Sequence, residues 1–250
     1  MKYKILSLLL IGTTVLNLIG CSTGSIAETD TETSDIVVEQ DTESEATVSN
    51  GLVYPSACYK LTTSKLDGKL TYSTEITDLN KALIYERNNI EYYILISDFY
   101  VYTELITPDG SITYKTSFDE VNEQYDGQFD SLYSYGNYMR ELFDVAELTS
   151  EDDEYYIYSY EDDIIYVNKE TDEVEKIGFS DGVYDFDIQW DGISRLNSYF
   201  DDAEEISGLA MATQMYIVIY AMESEDDTRI NEITLDSIKE KTDNIKEDDN

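Results

Sequence analysis

The chain contains no histidine, and that absence removes much of the usual catalytic repertoire. A Ser-His-Asp triad, a Cys-His pair and a histidine-ligated zinc site are all excluded. Cysteine occurs only twice, as Cys21 and Cys58, and proline only twice. So few cysteines cannot build the disulfide framework that staples many small secreted domains. Basic residues are scarce as well, 16 against 54 acidic ones, for a formal charge of −38. So negative a surface is repelled by nucleic acid and by anionic lipid, so no nucleic-acid partner is expected. Neither a G-x-x-x-x-G-K phosphate loop nor a G-x-G-x-x-G fingerprint is found. Carboxylate pairs such as Glu151 and Asp153 are the right groups for glycoside hydrolysis. In so acidic a chain, however, such pairs arise by chance. The expectation is a non-enzymatic protein with no cofactor.

What is present begins with Lys2 and Lys4, followed by a mostly apolar run from Ile5 to Leu16. A positive start and a short apolar stretch are the mark of a secretory signal. The stretch ending at Gly20 includes Asn17 and falls short of the ~20 apolar residues of a spanning helix. The quartet Leu18-Ile19-Gly20-Cys21 resembles the lipobox of bacterial lipoproteins. That resemblance implies cleavage before Cys21, a diacylglycerol thioether on its sulfur, and often an acylated new N-terminus. Two or more acyl chains hold a protein stably on a bilayer, where one is marginal. The expected partner is therefore the membrane, reached through Cys21 on its extracytoplasmic face. An uncleaved signal anchor, or an ordinary signal with a chance cysteine, is the alternative.

Residues 1–20 thus read as signal peptide and 21–50 as lipidated cysteine plus spacer. Residues 22–50 are mostly Thr, Ser, Glu and Asp, without an aromatic residue. Such a composition buries too little apolar surface to offset the entropy of ordering it. As a random coil the segment spans roughly 30 Å, and repulsion between its carboxylates extends it further. The plain reading is a spacer that lifts a folded domain off the membrane. From Gly51 onward tyrosine and β-branched residues appear and persist, and enough chain remains for one sizeable core. If Cys21 carries lipid, Cys58 has no partner within the chain and reads as a buried small hydrophobe.

Period-two alternation dominates residues 51–200, as in half-buried strands. One face carries Leu70, Tyr72, Thr74 and Ile76 in the first case, and Ile112, Tyr114, Thr116 and Phe118 in the second. The cleanest set is Tyr184, Phe186, Ile188 and Trp190. Two stretches between them, "IEYYILIS" and "FYVYTELI", are apolar enough to be covered on both faces. Turn residues sit at Asp67-Gly68, Pro108-Asp109-Gly110, Asp162-Asp163 and Lys169–Asp172. Within residues 128–143, Phe129, Leu132, Tyr135, Met139 and Phe143 recur at spacings of three and four, which predicts an amphipathic helix. The fold class is mainly β (α+β), a twisted antiparallel sheet with a crossing helix.

Residues 154–179, "EYYIYSYEDDIIYVNKETDEVEKIGF", resemble the later hairpins of LolA-like and LppX-like lipoproteins. The shared features are a Tyr-Tyr strand, a tight acidic turn, the "IYVNKET" strand and turn, and then "EVEKI". Asp172 stands where that family places a glycine. The resemblance implies a curved half-barrel whose concave face holds an acyl chain or another apolar ligand, and it identifies no ligand-binding residues one by one.

Residues 201–250 read as a packing segment with a charged tail. Periodicity leaves helix and strand both open for 206–222, while "LDSIKEKTDNIKEDDN" predicts a short helix. Acidic clusters at 150–154, 161–163 and 200–205 offer hard oxygen ligands to calcium, but none has EF-hand spacing. They read as solvated turns, with no metal site assigned. Two binding classes remain. One is a lipid-like or other apolar ligand in a concave sheet cavity. The other is a cell-surface interaction or adhesion domain with a filled core and exposed aromatic patches, binding protein or glycan.

Overall fold

The computed structural model describes residues 51–248, apart from 78–79, 98, 128, 130–134, 180–184, 192–199 and 201. Six strands come first: β1 (Tyr59–Lys65), β2 (Leu70–Ile76), β3 (Lys81–Arg87), β4 (Ile90–Ile96), β5 (Tyr100–Thr107) and β6 (Gly110–Ser117). Two helices follow, α1 (Phe118–Gln124) and α2 (Tyr135–Val145). The chain then returns to strands β7 (Glu147–Glu151), β8 (Tyr155–Tyr160), β9 (Asp163–Asn168), β10 (Val174–Gly178), β11 (Asp185–Trp190) and the short β12 (Glu204–Glu205). It finishes with α3 (Gly208–Met222), α4 (Asp227–Asn231) and α5 (Leu235–Asp248). All twelve strands belong to one curved, unclosed sheet, ordered β12-β6-β5-β4-β3-β2-β1-β11-β10-β9-β8-β7. The expected α+β half-barrel class is what the chain adopts.

Most of the order comes from hairpins between consecutive strands. At Leu66, Asp67 and Gly68 the backbone is left-handed, with φ of 53°, 54° and 86°. Asn88 and Asn89 do the same between β3 and β4, at 51° and 62°. Asparagine tolerates that region, and two such residues in succession match the twist of a tight hairpin. The turn expected at Asp162-Asp163 sits one residue earlier. Glu161 takes the positive φ and Asp163 already opens β9. One long-range pairing, β1 with β11, joins the two meanders, setting Leu61 opposite Ile188 and Tyr59 opposite Trp190. β12 departs from the antiparallel rule and runs parallel to β6.

Cross-strand partners share a face, so register shows which side chains lie together. Leu61, Thr74, Leu83, Ile94, Thr103 and Tyr114 form one such row. Through Ile188 the same face continues to Phe186, Ile177 and Ile165. Both core clusters stand on it. Over β2–β6 the cover is α1, α3, α4 and α5, with Met211, Met215 and Met222 buried against Tyr92, Ile94 and Leu105. Over β1 and β9–β11 it is α2, with Met139, Leu142 and Phe143 against Leu61, Ile165 and Ile177. Each large apolar side chain buried this way is worth about 1.5–3 kcal/mol of transfer free energy.

Several sequence expectations take more definite form. The apolar stretch of 206–222 is helical from Gly208, where Ser207 caps it by accepting from the Ala210 N–H. Among the described residues no helix is long and apolar enough to cross a membrane. The helix expected within 128–143 begins at Tyr135 and runs to Val145. Met139 and Phe143 face its core as predicted, whereas Phe129 precedes the helix and packs in the other cluster. Leu132 and Tyr184 lie outside the described residues. β4 is covered on both faces, as its composition suggests, and so is β3. β5 instead alternates, because only its Val101, Thr103, Leu105 and Thr107 side meets the helices. On the opposite face Ala82, Ile84, Tyr93 and Leu95 form a third cluster, with the Phe200 ring 6.1 Å from that of Tyr93.

Candidate functional site

The face a half-barrel would offer to an apolar ligand is the one that carries the helices. Its floor is built of large residues. Tyr59, Tyr92, Tyr114, Ile94, Ile96 and Leu105 are all fully buried. At the α2 end, Trp190 sits in an aromatic nest made by the chain itself. Its ring lies 5.7 Å from Tyr54, 5.6 Å from Tyr59 and 5.9 Å from Phe143, all edge-on. Its indole N–H donates to the Val174 carbonyl at 3.0 Å. Edge-on packing of this kind adds about 0.5–1.5 kcal/mol per pair beyond area burial. Tyr138 fastens α2 to the sheet by donating to the buried Asp163 carboxylate.

Beneath α3 the floor is more polar. Thr103 donates to Gln214 Oε1 at 2.9 Å, and Thr74 donates to the Tyr72 hydroxyl at 3.0 Å. The Tyr125 hydroxyl and the Gln214 amide nitrogen are buried with no hydrogen-bond partner among the described residues. Burial pushes the Tyr72 phenol up to about 12, and the Tyr85 and Tyr92 phenols well above their ordinary value. Lys65 holds its ammonium 4.5 Å over the Tyr72 ring and 3.5 Å from Glu223, whose carboxyl desolvation raises. Lys81, also on this face, is lowered to about 7 by burial.

Among the described residues the opposite end of the sheet is open. β7 is an edge strand whose five residues are all exposed. Next to it on the helix-bearing face, Leu148 pairs with Tyr158, and Tyr156 and Tyr160 continue that face along β8. Lys169 crosses the Tyr156 ring at 5.1 Å and pairs with Glu151 at 2.8 Å.

The lipobox residues Leu18, Ile19, Gly20 and Cys21 lie outside the described residues. Cys58 is a half-buried free thiol at the mouth of β1, its N–H donating to Ser56 Oγ and its carbonyl accepting from Asp191. The acidic clusters are partly spent on local structure. Asp152 accepts from the Glu154 and Tyr155 N–H groups, and Glu151 takes Lys169. Among the described residues no group of three potential ligands is placed to hold a metal. Sequence reasoning missed Lys81, Arg87 and the exposed β7 edge. For β7, "ELTSE" has neither the aromatic nor the β-branched density that marks a strand. No protein-family model matches this chain, and no curated protein or solved structure matches it either.

Proposed function

We propose that this is a membrane-anchored lipoprotein of the extracytoplasmic face whose folded domain is a non-catalytic surface-interaction module. The observation that carries the reading is where the large side chains go. On the helix-bearing face the chain's own α2, α3 and ring systems occupy the floor, and apolar residues reach solvent beside β7, as they also do at Val53, Phe99 and Tyr100. That combination of filled core and exposed aromatic edge is what an interaction domain needs. The anchor rests on Leu18-Ile19-Gly20-Cys21 and on the acidic spacer behind it.

A second reading, an apolar ligand held on the sheet in the LolA-like and LppX-like manner, draws support from two features. The sheet is curved and unclosed. The buried Tyr125 hydroxyl and Gln214 amide are also polar atoms that a ligand headgroup would satisfy. Native mass spectrometry of the domain, released by proteolysis within residues 22–50 and followed by organic extraction, separates the two. A bare protein is expected. A captive acyl or isoprenoid species would establish the second reading.

A further inference from the structure

We infer that the free edge of β7 accepts a basic, extended segment of a partner protein as an additional strand. The inference rests on the surface-interaction reading above and gives that surface its partner's chemistry. Among the described residues β7 pairs with β8 on one side only. The backbone groups on its other side form the kind of template that extended peptides complete by strand addition. Alongside runs an apolar strip in which Val145, Leu148 and Tyr160 are 44%, 55% and 43% exposed. Exposed Asp144, Glu147, Glu161 and Asp162 rim that strip.

Two other occupants fit poorly. A second copy would bring the same acidic rim, Asp144, Glu147, Glu161 and Asp162, against itself, and like charges set across strands are destabilising. The chain's own residues 22–50 carry eight acidic side chains' worth of "E" and "D" and no Lys or Arg, so the same rim repels them. A cationic strand meets neither obstacle. Side chains alternate along it, so apolar residues cover Leu148 and Tyr160 on one face while Lys or Arg meets Glu147 on the other.

The test titrates the full chain in detergent with a peptide of alternating lysine and valine. A lysine–proline peptide of equal charge, unable to pair as a strand, is the control. The lysine–valine peptide is expected to bind and to slow amide exchange at residues 147–151, and the control is not. Combining Glu147→Lys with Leu148→Ser should weaken binding roughly tenfold, the strength of two lost cross-strand pairs. Equal binding of the control, protection elsewhere, or undiminished binding by the variant would overturn the inference. An extracted lipid overturns the interaction reading itself, whereas a bare protein indifferent to the peptide overturns only this strand-addition site.

Discussion

Lys81 lies between Ile76 and Ile96 as cross-strand partners, and burial brings its ammonium from 10.5 down to about 7. The folded protein therefore holds a neutral amine where the unfolded chain is protonated. Between about pH 7 and 10.5 unfolding takes up a proton, so this group makes stability rise with pH across that window. Below it both states are charged, and the folded state holds its ammonium in a buried site. Lys81→Met is expected to raise stability at neutral pH by about 1–3 kcal/mol and to flatten the rise, read as urea midpoints across the window. Gly208 is constrained differently. A Cβ there would lie 2.5 Å from the Glu120 carbonyl oxygen, a backbone atom that cannot swing aside. Gly208→Ala should part α1 from α3 and cost about 1–3 kcal/mol in a denaturant melt.

At the scale of elements, α3 depends on a clasp at its C-terminal end. Arg87, buried at the end of β3, donates to the Met222 and Ser224 carbonyls at 2.6 Å each and pairs with Asp227. The Met222 carbonyl is one that the helix end leaves without an internal partner, and Ser224 lies just past the Glu223 cap. Arg87→Ala is expected to cost about 3 kcal/mol or more and to speed amide exchange along α3. Asp227→Asn should cost far less than Arg87→Ala, because that carboxylate is 53% exposed and screened by water. Elements of this fold were legible wherever one physical signal acted alone. The alternation of Phe186, Ile188 and Trp190 marks β11 because the other face, Asp187 and Gln189, meets water. The Asn88-Asn89 hairpin escaped notice for want of a glycine, although both asparagines adopt the left-handed turn. α1 was hidden because Phe118 continues the alternation of β6 and only then becomes the first residue of a helix capped by Ser117. The edge β7 was hidden because a solvated strand has no buried face to leave a pattern.

For the whole molecule, the proposed anchor at Cys21 would hold a strongly acidic domain near a membrane whose anionic surface repels it. Cys21→Ala is expected to move the protein from the membrane to the soluble fraction on cell fractionation. Continued retention would count against the lipobox. The order of the chain has a further consequence. β3–β6 are complete by residue 117, yet the longest helix of their cover spans Gly208–Met222. During synthesis these strands emerge with most of their apolar face open and stay so until residues 208–222 arrive. A premature stop ahead of Gly208 therefore removes the lid from a finished sheet. Such a shortened product would be prey to proteases and aggregation as a whole, where a cut beyond Asp227 would keep α3 and its Arg87 clasp and lose only the rest of the cover.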